Sequence, residues 1–203
     1  MFKWAETCEL IKKNPVIGVQ RPSMQTKGSH TWTIEQVEVY RKHHPIDTMA
    51  RLALELMLFL GLRRSDVIRI GKEHVKDNVL SIRTQKTGKM VHVPIFESLQ
   101  KCLDAVGKDH NTFLTTTLGK KLSSSCSFGH WFRGRCKEPG LPDECRAHGL
   151  RKTVATLRNA GASPHELMAM YGWSKADMAE LYTREVNIKK LAYKTAKMIA
   201  DSV

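Results

Sequence analysis

The chain has 203 residues, 41% hydrophobic and 26% charged, which is the length of one large domain or at most two small ones and excludes wholesale disorder. Its 33 Lys and Arg outnumber its 20 Asp and Glu to leave a formal net charge of +13, a surplus that implies an anionic partner, nucleic acid before a membrane surface. The most apolar stretch, 49–62, contains Arg51 and Glu55 and is too short to cross a bilayer.

In chain order, residues 1–13 carry Phe2, Ala5, Leu10 and Ile11 broadly on one side and predict a helix ended by Asn14-Pro15. The polar stretch 20–30 reads as a linker or arm. Thr33 with Gln36 three residues on forms a capping box, so a helix is expected to about His43, where Pro45 intervenes. The next, 48–60, is apolar almost all round and belongs at the centre of the core. Period-two alternation over 79–83 and 90–95, either side of Lys86-Thr87-Gly88-Lys89, predicts a hairpin. Helices follow at 96–106 and 127–137, separated by a Ser/Thr-rich loop over 115–125. The last third predicts helices at 149–160, from Ser163 to Gly172, from Ser174, and at 188–202. The fold class is therefore mixed α/β, mainly helical with one small antiparallel sheet. The first residues hold no continuous apolar run of a signal peptide. The five cysteines, Cys8, Cys102, Cys126, Cys136 and Cys145, form no C-x-x-C pair, so neither a zinc knuckle nor a disulfide framework is indicated and a reduced cytosolic protein is expected.

Moving a phosphoryl bond without a metal takes a nucleophile, fixed cations and a proton donor. Arg63 follows the central apolar helix in Gly61-Leu62-Arg63, and Lys86 stands at the hairpin tip. His148 and Arg151 are three apart, hence on one helical face, and Trp173 precedes Tyr182 by nine residues. Each has a plainer reading: Arg63 as a helix-end cation, Lys86 as a solvated charge, Tyr182 as a core aromatic. Lys89 competes with Lys86 for the tip position, whereas Tyr40, Tyr171 and Tyr193 compete poorly with Tyr182.

Gly61-Leu62-Arg63, Lys86-Thr87-Gly88, His148-Gly149-Leu150-Arg151, Gly172-Trp173 and Leu181-Tyr182, in that order, resemble the motifs of the tyrosine recombinases, or phage integrases. The resemblance runs from about Thr33 to the end of the chain. It implies the integrase catalytic-domain fold and a site-specific recombinase that cuts and rejoins DNA through a 3′-phosphotyrosine, with no metal, ATP or other cofactor. Arg63 and Arg151 would clamp the scissile phosphate, Tyr182 would attack it, His148 would take the tyrosine proton, and Lys86 would protonate the leaving 5′-oxygen. Asp66 matches an acidic position that supports the site. Trp173 stands where most bacterial members carry histidine; its indole N–H can hold a phosphate oxygen but cannot carry a proton.

The resemblance further implies double-stranded DNA as partner, a homo-tetramer on DNA and a monomer when free, no membrane, and a cytoplasmic, nucleoid-associated location. Residues 1–30 are expected to be the end of a core-binding-domain helix plus linker, and 31–203 the catalytic domain, as in a fragment or a short member. The terminal helix would dock either on a neighbouring protomer or on its own domain. A non-catalytic helix-turn-helix reader, built on 161–182, is the alternative; it has no use for Arg63, Lys86 or the His148–Arg151 pair. The charge is spread rather than tailed, with nine Lys/Arg against four Asp/Glu over 48–95.

Overall fold

A computed structural model describes residues 1–19, 28–106, 111–158 and 168. The opening helix, α1, covers only Phe2–Thr7, shorter than the periodicity predicts. None of its residues is buried, and Glu9 takes a left-handed φ of 57°. A helix of that length without packing is marginal, so the chain turns once its own propensity weakens.

Helix α2, Ile34–His43, begins as expected: Thr33 Oγ1 accepts the Gln36 amide while Gln36 Oε1 accepts the Thr33 amide. Helix α3, Met49–Leu60, starts on the Thr48 hydroxyl and buries eight of its residues. It packs against both α5 and α7, which makes it the axle of the fold. One of the eight is Glu55, only 2% exposed; Arg41 grips it with two nitrogens and Arg51 with a third, so a carboxylate sits in an otherwise apolar helix.

After the short α4, Arg64–Val67, the chain forms a three-stranded antiparallel sheet, β1 (Val75–Lys76), β2 (Val79–Arg83) and β3 (Met90–Pro94). The predicted hairpin is β2–β3, with Leu80 opposite Val93 and Ile82 opposite Val91, all four buried. The third strand is an addition. It joins β2 through Asp77 and Asn78, both at positive φ (51° and 60°), as a tight two-residue turn demands.

Helix α5 (Glu97–Val106), α6 (Ser125–Lys137) and α7 (Ala147–Arg158) complete the described fold. Phe132 of α6 stacks on Tyr40 of α2 at 5.5 Å between ring centroids, and Trp32 packs edge-on to Tyr40 at 5.9 Å. No helix among the described residues is long and apolar enough to cross a membrane. Apart from residue 168, which is helical, the helices predicted after 161 lie outside the described residues.

Candidate functional site

Gly61 ends α3 in the left-handed conformation (φ 58°, ψ 18°), which costs glycine nothing and reverses the chain. Leu62 is buried at 2% exposure and anchors the turn, so Arg63 leaves it from a fixed backbone. The Arg63 carbonyl accepts the amides of Asp66 and Val67 and starts α4. Its side chain caps no carbonyl through Nη1, which is buried and has no acceptor among the described residues. The helix-end reading of Arg63 therefore does not account for that nitrogen.

Arg151 arrives from α7 and is 8% exposed. Its Nη1 donates to the Gly61 carbonyl at 2.5 Å, which ties the second arginine to the turn that presents the first. The approach of α7 depends on Gly149, since a Cβ there would overlap the His30 carbonyl oxygen and stand 2.9 Å from Trp32 Cδ1. Trp32 in turn donates its indole N–H to the Arg146 carbonyl at 3.1 Å, and the Thr153 hydroxyl donates to the Trp32 carbonyl at 3.1 Å. The glycine of His148-Gly149-Leu150-Arg151 is thus where the chain before α2 crosses α7.

Asp66, fully buried in α4, reaches the hairpin. Its Oδ1 accepts the Gln85 amide at 2.8 Å, one residue before Lys86, and lies 3.7 Å from Arg69 Nη1. Inside the turn, buried Thr84 bonds the Thr87 hydroxyl at 2.7 Å and the Lys89 carbonyl at 3.1 Å, while Gly88 takes φ 65°. Lys86 itself is exposed on this braced tip.

The electrostatics join these pieces. His148 is exposed at the surface, yet its imidazole is held below the ordinary histidine pKa. Partial burial of the ring is the largest cause, and the charges of Arg151, Arg64, Arg63 and Lys86 act in the same direction. Four cations from α4, the hairpin and α7 therefore act on one histidine. A neutral imidazole amid fixed positive charge can accept a proton while the cations hold an anion.

Of the predicted residues, the fold brings together Arg63, Lys86, His148 and Arg151, with Asp66 behind them. Trp173 and Tyr182 lie outside the described residues, as do Tyr171 and Tyr193. Tyr40 is fully buried, and that burial drives its hydroxyl far above the usual phenol range, so it is a core residue. No sequence motif singles out Arg64, Thr84 or Trp32. The visible signals were the adjacent arginine and an inward-facing threonine continuing the β2 alternation. Among the described residues the grouping of metal-ligand type is His43, His44 and Glu138, at the ends of α2 and α6. His44 Nε2 lies 2.9 Å from the Arg135 carbonyl and Glu138 is paired with Arg135 at 2.8 Å, so two of its three groups are already engaged. A cleft of about 680 Å³ between α3, α6 and the 112–122 loop contains none of the motif residues.

The model of the phage integrase family matches residues 33–187. The integrase of Enterobacteria phage 434 is 25% identical over 186 residues, covering 85% of this chain and 51% of the relative. Tyrosine recombinase XerC of Chlamydia pneumoniae is 22% identical over 206 residues, covering 93% of this chain and 65% of the relative. The chain thus spans about half the length of the phage relative. Among solved structures, a lambda integrase dimer bound to a COC′ core site superimposes with a TM-score of 0.74 at 22% identity, over 90% of this chain and 68% of that one. A lambda integrase tetramer bound to a Holliday junction gives 0.71 at 22% identity, over 89% and 55%. These likenesses bear out the expected architecture of helices around a small antiparallel sheet. With the family's pattern running through most of its length and its fold reproduced, the chain belongs to the phage integrase family of tyrosine recombinases.

Proposed function

We propose that the chain is a site-specific recombinase that cleaves and rejoins duplex DNA through a covalent 3′-phosphotyrosine, with residues 31–203 as its catalytic domain. The observation that carries this reading is the buried Nη1 of Arg63, without an acceptor among the described residues, in a group of cations that share one histidine. A phosphodiester supplies the missing oxygens. Arg63 and Arg151 neutralise the charge that grows on the pentacoordinate phosphorus, a task that falls to a metal in many other phosphoryl transfers. Tyr182 attacks phosphorus and breaks the bond to the 5′-oxygen. Its proton passes to neutral His148, and Lys86 protonates the departing oxygen. Trp173 donates its indole N–H to a phosphate oxygen. A second 5′-hydroxyl reverses the step, so the phosphodiester bond energy is retained and no ATP is consumed.

The partner is double-stranded DNA in the cytoplasm, at the nucleoid. A tetramer on DNA follows the arrangement named for lambda integrase on a Holliday junction, and the free chain is a monomer. The test uses a library of nicked duplexes with randomised sequence around the nick. Wild-type protein should form an adduct that survives denaturant, Tyr182→Phe should form none, and Arg63→Ala should form about 10²–10³-fold less. If wild type yields no adduct, or Tyr182→Phe yields as much, the reading is wrong; sequence-selective binding without adduct would favour the helix-turn-helix reader.

A further inference from the structure

Arg64 follows Arg63 in the chain, but the two side chains differ in setting. Arg63 is half-buried; Arg64 is exposed. The Arg64 guanidinium lies across α6 at Gly129, where a Cβ would overlap Nη1 and stand 3.5 Å from Cζ. The absent side chain leaves a notch that seats the guanidinium. Glycine inside a helix is otherwise unfavourable by about 1 kcal/mol against alanine, so α6 accepts a local cost at the point where Arg64 lies.

Several other arginines have carboxylate partners. Arg133 pairs with Asp143, Arg135 with Glu138, Arg69 with Asp66, and Arg41 and Arg51 with Glu55. The Arg64 guanidinium has no carboxylate or carbonyl partner among the described residues. Its charge also acts on His148 alongside those of Arg151, Arg63 and Lys86. A planar fork with no acceptor among the described residues, lying against α6 at Gly129 and open to solvent, is suited to a second phosphate.

We propose that Arg64, seated in the Gly129 notch, holds a backbone phosphate of the duplex next to the reacting one and so sets the register of the DNA on the site. This rests on the reading of the site given above. The contact carries no sequence information; it positions the strand.

The test is fluorescence anisotropy with a labelled mixed-sequence duplex over a series of KCl concentrations. Arg64→Gln should lower the slope of log K against log salt by about one and weaken binding on the order of tenfold at fixed salt. Gly129→Ala keeps the charge but fills the notch, so it should weaken binding in wild type and have no further effect in the Arg64→Gln background. Gly134→Ala, on the same helix with nothing within 4 Å of its Cβ, should bind as wild type. An unchanged salt slope in Arg64→Gln overturns the phosphate contact. A Gly129→Ala loss that persists in the Arg64→Gln background overturns the notch. The two readings separate cleanly: a Tyr182 adduct with an unchanged Arg64→Gln slope refutes only this inference, and a lowered slope with no adduct refutes only the recombinase.

Discussion

Replacing Gly149 by alanine tests how α7, with His148 and Arg151, is held against the rest of the domain. The new Cβ would overlap the His30 carbonyl oxygen and press on Trp32 Cδ1 at 2.9 Å and Nε1 at 3.2 Å. Neither neighbour is a flexible tip: one is backbone, and the other belongs to an indole that is 2% exposed. Overpacking of this kind costs about 1–3 kcal/mol. The shift also strains the Trp32–Arg146 and Thr153–Trp32 hydrogen bonds, both 3.1 Å, at about 1 kcal/mol each. Helix propensity returns about 1 kcal/mol. The net expectation is a loss of roughly 2–4 kcal/mol, read as a lower urea midpoint at constant slope. Gly134→Ala in α6, with open space around its Cβ, is the control and should gain about 0.5–1 kcal/mol from propensity alone. Gly149→Ala as stable as wild type would refute the close crossing of the two segments.

Other consequences are equally direct. Asp66→Ala removes the acceptor of the Gln85 amide and should cost about 1.5–3 kcal/mol; the amides of residues 85–87 should then exchange faster, and unchanged exchange would contradict the bracing of the Lys86 turn. His148 and His44 both have folded-state pKa values below the ordinary 6.5. As pH falls through the ordinary histidine range the unfolded chain takes up their protons first, so stability is full above that range and declines below it. Imidazole NMR titration checks the sign, and a His148 that titrates at or above the ordinary value would disprove the cation cluster. Glu55→Gln strips Arg41 and Arg51 of their buried partner; because both arginines reach solvent, the expected loss is about 2–3 kcal/mol, and a change in urea midpoint worth under about 1 kcal/mol would mean the three-residue network adds little.

The sequence by itself determined what neighbours within a few residues decide. The Thr33–Gln36 box, the apolar helix over 48–60 and the β2–β3 alternation are each written in a short window, since capping and periodic burial involve only neighbouring residues. The order of the motifs was legible for the same reason. What brings those motifs together was not. The Asp66–Gln85 amide, the Arg151–Gly61 carbonyl and the Trp32–Arg146 bond link residues 19, 90 and 114 positions apart. No local pattern encodes such pairs, because they form only when separate elements pack. Packing likewise withheld support from the second half of the predicted first helix, added β1 to the hairpin, and buried Glu55 between two arginines. It also explained Gly149, which reads in the sequence as one letter of a motif and in the structure as the point where two segments cross too closely for any side chain.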